Sequence, residues 1–286
     1  MKKITVFTPT YNRAKYLVRA YESLLKQTSI DFEWLIVDDG SSDNTEQLVN
    51  SWKQNSPFDI AYIFQENQGK HIAINTGVRN TSSDYFLTLD SDDTLLSNCI
   101  EELVALTDIS DRMEDVAAIV SFIKLDDNFI SNLEVIHPVI CYEKEFDFKT
   151  PYSRENVFCY KTEILKKFPF PQFPGEKFCP ESLVFSRITR KYKLLFYPKA
   201  LQSGKYLPDG LSSKYWKLLQ DNPKGYVLWL KEKINSEDNG HSKRLLLKQY
   251  WSFVLKTKGI SFYDKITGVG LFDSLDYFYH RLRRSI

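Results

Sequence analysis

No stretch of this 286-residue chain approaches the ~18 consecutive apolar residues of a membrane-spanning helix. The longest apolar run, residues 116–123, is interrupted by Ser121 and is strand-sized. No signal-like apolar core develops near the start either, because Pro9, Asn12 and Arg13 follow soon after Lys2 and Lys3. The chain also lacks a charge surplus: 38 Lys and Arg stand against 37 Asp and Glu, a formal net charge of +1, which argues against a nucleic-acid partner. Paired cysteines are missing too. Cys99, Cys141, Cys159 and Cys179 are scattered, with no CxxC and no histidine at metal-ligand spacing, so four reduced thiols are expected rather than a zinc site or a disulfide framework. There is no internal repeat and no low-complexity tract. These absences point to a cytoplasmic globular protein. At 43% hydrophobic residues it can build one large domain, or a domain with an accessory segment.

The first half of the chain alternates strand and helix signals. Strands are expected at residues 4–8, 32–37, 60–64, 85–89 and 116–123. Between them, Leu17, Tyr21, Leu24 and Leu25 recur at helical spacing. Asp43 and Glu46 stand at capping-box spacing before a helix carrying Leu48, Val49 and Trp52. Further helices are expected at 69–79 and 97–106. Such alternation implies βαβ units and a mostly parallel central sheet flanked by helices. Residues 125–151 read as irregular. A short strand (157–161), a helix (162–168), a proline-rich loop (168–180), a helix (181–192) and a strand (193–197) follow. Helices are expected at 214–220, 223–234, 242–256 and 272–284.

Ligands of such sheets bind beyond the carboxyl ends of the strands, and four polar clusters fall there. Thr8-Pro9-Thr10-Tyr11-Asn12-Arg13 follows the first strand, where Tyr11 offers a stacking face for a planar base; a plain turn into the helix is the competing account. Asp38-Asp39-Gly40-Ser41-Ser42-Asp43 follows the second, where a carboxylate can accept from a base imide or a ribose hydroxyl, while Asp43 suits a helix cap. Asn67-Gln68-Gly69-Lys70-His71 places a lysine near a helix N-terminus, a candidate anion partner, and His71 reads as structural or substrate-orienting. Asp90-Ser91-Asp92-Asp93 follows the fourth strand. Its carboxylates suit a hard divalent cation held by oxygen, and equally a solvated turn before a helix.

In order and spacing the four clusters resemble those of the family-2 glycosyltransferases, strongly over residues 3–95, moderately to about 210 and weakly beyond. The resemblance implies the glycosyltransferase-A fold and an inverting hexosyl- or N-acetylhexosaminyltransferase of polysaccharide-biosynthesis type. It also implies a nucleotide-sugar donor, with UDP the commonest nucleotide, a divalent metal (Mn or Mg), and a glycan or lipid-linked glycan acceptor. Carried over to this chain, Thr8 and Tyr11 line the nucleoside pocket, and Pro9, Arg13, Asn67 and Ser91 belong to the donor-binding set. Asp38, helped by Asp39, reads the base, and Lys70 sits by the donor. Asp92 is the main metal ligand, Asp90 touches the metal shell or ribose, and Asp93 lies towards the sugar. The family's usual Glu-Asp pair, which supplies the catalytic base, is absent. Pro180-Glu181 stands in its place, so Glu181 is the expected base with Glu176 in reserve. A first-turn glutamate favoured by the helix dipole is the plainer account of Glu181.

The implied layout is a catalytic domain over residues 1–211, with donor (1–95) and acceptor (96–211) parts, followed by a helical region over 212–286. Residues 206–212 resemble a loop that closes over the donor. The tail, aromatic residues followed by Arg281, Arg283 and Arg284, suits peripheral contact with the inner face of the membrane as well as an ordinary docking helix. Two other functions compete. The intact Asp90-Ser91-Asp92-Asp93 argues against a catalytically inactive nucleotide-sugar-binding protein, but the missing Glu-Asp pair keeps that alternative open. A sugar-nucleotide pyrophosphorylase is disfavoured because no glycine-rich loop follows the first strand.

Overall fold

The computed structural model describes residues 2–125, 137–145, 156–205, 210–270 and 274. They divide into two compact units: residues 1–169 with 187–208, and residues 170–186 with 209–286.

The first unit is built on one sheet. β1 (Ile4–Thr10) is flanked by β2 (Phe32–Asp38) and β4 (Tyr85–Thr88), and β3 (Ile60–Phe64) pairs with β2, all in parallel. β8 (Asn156–Lys161) then runs antiparallel between β4 and β6 (Val116–Leu125). β9 (Lys193–Gly204) lies parallel to β6 and pairs antiparallel with β5 (Thr94–Leu95) and β7 (Val139–Cys141). The strand order is β3-β2-β1-β4-β8-β6-β9-β5, so the chain reverses direction across the sheet at β1. The longest ladders, β6–β9 and β1–β2, are parallel.

β1 and β2 are buried almost throughout, as strands covered on both faces must be. Helices α1 (Ala14–Leu25), α2 (Thr45–Lys53) and α4 (Cys99–Asp111) cover one face. There Trp34 stacks with Tyr21 and Trp52, and its indole N–H donates to Thr8 Oγ1 at 2.9 Å. Helix α3 (Lys70–Asn80) covers the other face, and Gly77 lets it come down on the stacked rings of Phe7 and Phe86.

The second unit holds α7 (Tyr215–Asp221), α8 (Pro223–Asn235), α9 (Gly240–Val254) and α10 (Phe262–Ile266) around a core that includes Leu219, Leu230, Ile234 and Tyr250. Helix α6 (Ser182–Thr189) begins in this unit, and its last turn returns to the first. No helix among the described residues is long and apolar enough to cross a membrane.

Several elements differ from the expectation. β9 runs to Gly204 rather than ending at Tyr197; Pro198 sits where the β6–β9 register shifts, a place in a strand that tolerates a missing N–H. The two-residue β5 and the three-residue β7, too short to carry a period, and α10 were not anticipated. The helix expected over residues 162–168 is a single turn, α5 (Thr162–Leu165), and α6 is shorter than its expected span. The expected helix 272–284 lies outside the described residues apart from Ser274, as do residues 206–209 of the expected closing loop.

Candidate functional site

Two loops at the ends of β1 and β2 are tied together by side chains. Asn12, at a positive φ of 53°, donates its backbone N–H to Ser41 Oγ, and its own Oδ1 accepts from Ser42 N, both at 2.8 Å. Asp43 spans two helix starts: Oδ2 accepts from Ala14 N at the head of α1, and Oδ1 from Thr45 N at the head of α2, each at 3.1 Å. Partial burial alone would raise the Asp43 carboxyl, but these bonds and that from the Thr45 hydroxyl outweigh it, and the net shift is downward.

The neighbours Asp38 and Asp39 point to different tasks. Asp38 is buried at the end of β2, its Oδ1 accepting from Ser41 N and its Oδ2 from the Tyr62 hydroxyl, both at 2.7 Å. Burial, and then this bond, push the Tyr62 phenol well up, so it stays protonated and donates. Two bonds leave the Asp38 carboxylate with acceptor capacity in hand. Asp39 instead holds the β3–α3 loop. Its Oδ1 accepts from Gln65 Nε2 and Gln68 N, its Oδ2 from Gly69 N at 2.7 Å, and its carbonyl from Asn67 Nδ2. Gly40 (φ 87°) passes so close to this loop that a Cβ there would lie 2.9 Å from Asn67 N. Thr8 and Pro9 are buried in β1, with the Thr8 hydroxyl engaged by Trp34, while Tyr11 is half exposed.

Four charged groups converge from three segments of the first unit. Lys70, the first residue of α3, places Nζ 2.8 and 2.9 Å from the two carboxylate oxygens of Asp90. Arg13, leading into α1, sets a guanidinium nitrogen 3.7 Å from Asp92 Oδ2. Burial first, and then the Asp90 carboxylate, push the Asp92 carboxyl upward; Arg13 and Lys70 pull it the other way. Ser91 is buried within the turn, which closes with Asp93 N donating to Asp90 O. His71 is buried and its pKa is lowered to about 4, so it is neutral at pH 7.

Among the described residues no three His, Cys, Asp or Glu side chains converge as a preformed metal cage. Asp90 and Asp92 nevertheless fit a hard cation. They are oxygen donors, one raises the other's carboxyl, and Mg²⁺-type sites commonly use one or two carboxylates and complete their shell with phosphate and water.

Glu181 lies in the second unit, exposed, directly before α6, with its carbonyl accepting from Phe185 N. Glu176, in the same unit, is committed elsewhere. Its carboxylate accepts from Lys224 N at 3.0 Å at the start of α8 and is pushed upward by burial despite that bond. Sequence reading missed Tyr62, within β3, and Gln65, just past its end, which bond Asp38 and Asp39; a polar side chain in or beside an apolar strand was their one signal.

Residues 5–162 match the family model described as "Glycosyl transferase family 2". An uncharacterized glycosyltransferase of Nostoc sp. is 38% identical over 109 residues, which is 38% of this chain and 34% of that protein. The chondroitin synthase of Escherichia coli is 41% identical over 98 residues, 34% of this chain and 14% of the enzyme. The matched stretch is thus about a third or less of either relative's length. Among solved structures, residues 1–349 of S. aureus TarS in complex with UDP superpose with a TM-score of 0.62 at 19% identity, covering 99% of this chain and 87% of that one. A mannosyltransferase from Pyrobaculum calidifontis, in complex with GDP-Man and Mn²⁺, gives 0.57 at 17%, covering 99% and 75%. At these identities the superpositions establish the fold.

Proposed function

The chain belongs to glycosyl transferase family 2, and from that premise we propose that it moves a sugar from a UDP-sugar to a hydroxyl of a glycan or lipid-linked glycan, with inversion at the anomeric carbon. The observation that carries this reading is the pairing of Lys70, at the head of α3, with Asp90 and of Arg13, after β1, with Asp92, the two aspartates following β4. The two cations suit a diphosphate, and the two carboxylates suit its counterion. UDP is chosen as the donor nucleotide because a structural relative holds it; another holds GDP-Man, so the base is the first quantity to measure. The glycan acceptor is supported by the chondroitin synthase among the relatives.

In the proposed reaction the acceptor oxygen attacks the anomeric carbon opposite the leaving group. The bond to the diphosphate breaks and its electron pair departs with the nucleotide. The hydroxyl proton passes to Glu181, which is favoured over Glu176 because Glu176 already caps α8. A divalent cation on Asp92 and Asp90 would neutralise charge on the leaving diphosphate. Lys70 and Arg13 hold the diphosphate and the two aspartates in register. Thr8, Pro9, Tyr11, Asn67 and Ser91 shape the nucleoside end, and Asp38 orients the base.

The test is release of nucleoside diphosphate from a panel of UDP-, GDP- and dTDP-sugars with Mn²⁺, on wild type and Glu181→Gln. One donor is expected to stand out. The variant should lose about 10²-fold or more of turnover with little change in donor KM. Release from no donor would leave the inactive binding protein as the better reading. Near-wild-type turnover in Glu181→Gln would remove Glu181 as base.

A further inference from the structure

Thr94 of β5 lies opposite Ser203 of β9, and the Thr94 hydroxyl donates to Ser203 O at 3.2 Å. One step further along each strand, Asp93 and Gly204 face one another. A Cβ at Gly204 would lie 2.6 Å from Asp93 Oδ1 and 3.3 Å from both Asp93 Cγ and Ile123 Cγ2. The backbone there is not the reason for glycine, since Gly204 is absent from the residues with positive φ among those described. A glycine in a strand weakens it and commonly marks close approach by another group. Here the approaching group is a carboxylate from the acidic turn.

We propose that Gly204 is a positioning residue for Asp93: its missing side chain is the seat that fixes where the Asp93 carboxylate stands relative to the donor sugar. The inference rests on the reading of Asp93 as part of the sugar-binding site. It adds that the end of β9, more than a hundred residues away in sequence, sets the geometry of that site. The contact is with the tip of a two-torsion side chain, so an added methyl group displaces the carboxylate rather than the strand. Restoring ordinary van der Waals separation needs a shift of about 1 Å. A misplacement of that size can cost on the order of 10²-fold in rate.

The experiment is a cycle of Gly204→Ala, Asp93→Ala and the double variant, assayed by nucleoside-diphosphate release from the donor that stands out in the panel, with urea midpoints and a crystal structure of Gly204→Ala alongside. Gly204→Ala is expected to lose about ten- to a hundredfold in kcat, with UDP affinity and urea midpoint close to wild type. In the Asp93→Ala background the second change should cost nothing more. The crystal structure should show the carboxylate moved by about 1 Å. Multiplying losses, an unmoved carboxylate, wild-type turnover in Gly204→Ala, or a Gly204→Ala chain that does not fold would each overturn the positioning role while leaving the proposed transfer intact. Wild-type turnover in Asp93→Ala would instead overturn the reading of Asp93, and the positioning role with it.

Discussion

Asp39 offers a test that separates holding a loop from reading a base. Its side chain is 4% exposed and accepts three hydrogen bonds, of which two, from Gln68 N and Gly69 N, come from backbone that cannot turn elsewhere. The third, from the Gln65 amide, can be replaced by water. Hydrogen bonds to an ionised acceptor contribute about 1.5–3 kcal/mol each, and buried donors left without partners carry their own penalty. Asp39→Ala should therefore destabilise the protein by about 3–5 kcal/mol. Asp39→Asn keeps one acceptor oxygen but turns an amide N–H₂ towards Gly69 N or Gln68 N, and should cost about 2–3 kcal/mol. The loop so released leads straight into Lys70, so weaker donor binding should accompany both changes. Urea unfolding gives the stability and calorimetric titration with UDP gives the affinity. A variant within about 0.5 kcal/mol of wild type that nevertheless lost UDP would refute the reasoning and return Asp39 to direct contact with the nucleotide.

Gly77→Ala should destabilise by about 2–3 kcal/mol, because the new methyl group would sit 2.4 Å from the buried Phe7 ring; the better helix propensity of alanine recovers only about 1 kcal/mol. A urea midpoint equal to or above wild type would contradict that packing. Asp43 should give the protein an acid-side dependence. Its folded-state carboxyl is held below the ordinary value of 3.8, so the unfolded chain binds the proton first as pH falls. Its contribution is thus complete above that value and disappears as pH drops through the depressed one. The stability gap between wild type and Asp43→Asn, measured between pH 2 and 6, should shrink towards the acid end; a gap that widened there would reverse the assignment.

The parallel half of the sheet was legible because β1 and β2 are apolar runs with polar loops at their carboxyl ends, and that same pattern located the four clusters. What stayed hidden depended on partners distant in the chain. Asp38 and Asp39 look equivalent as neighbours, yet one ends a strand against Tyr62 and the other turns back to the loop at residues 65–69. Gly77 reads as a weak spot in a helix until Phe7 and Phe86 are seen beneath it. Pro198 looked like the end of a strand, whereas it lies at an irregularity within β9, whose last residues pair with β5 more than a hundred positions earlier. The segment carrying Glu176 and Glu181 gave no compositional sign that it belongs with the C-terminal helices.

The stitching of Asn12 to Ser41 and Ser42, with one carboxylate opening both α1 and α2, has a thermodynamic consequence for whatever binds there. Backbone that is already hydrogen-bonded loses little further freedom when a ligand arrives. If the proposed donor binds at these loops, the entropy of ordering is met during folding, and affinity for its nucleoside should reflect contact chemistry. Any substitution that loosens Asn12 or Asp43 transfers that cost to the binding step.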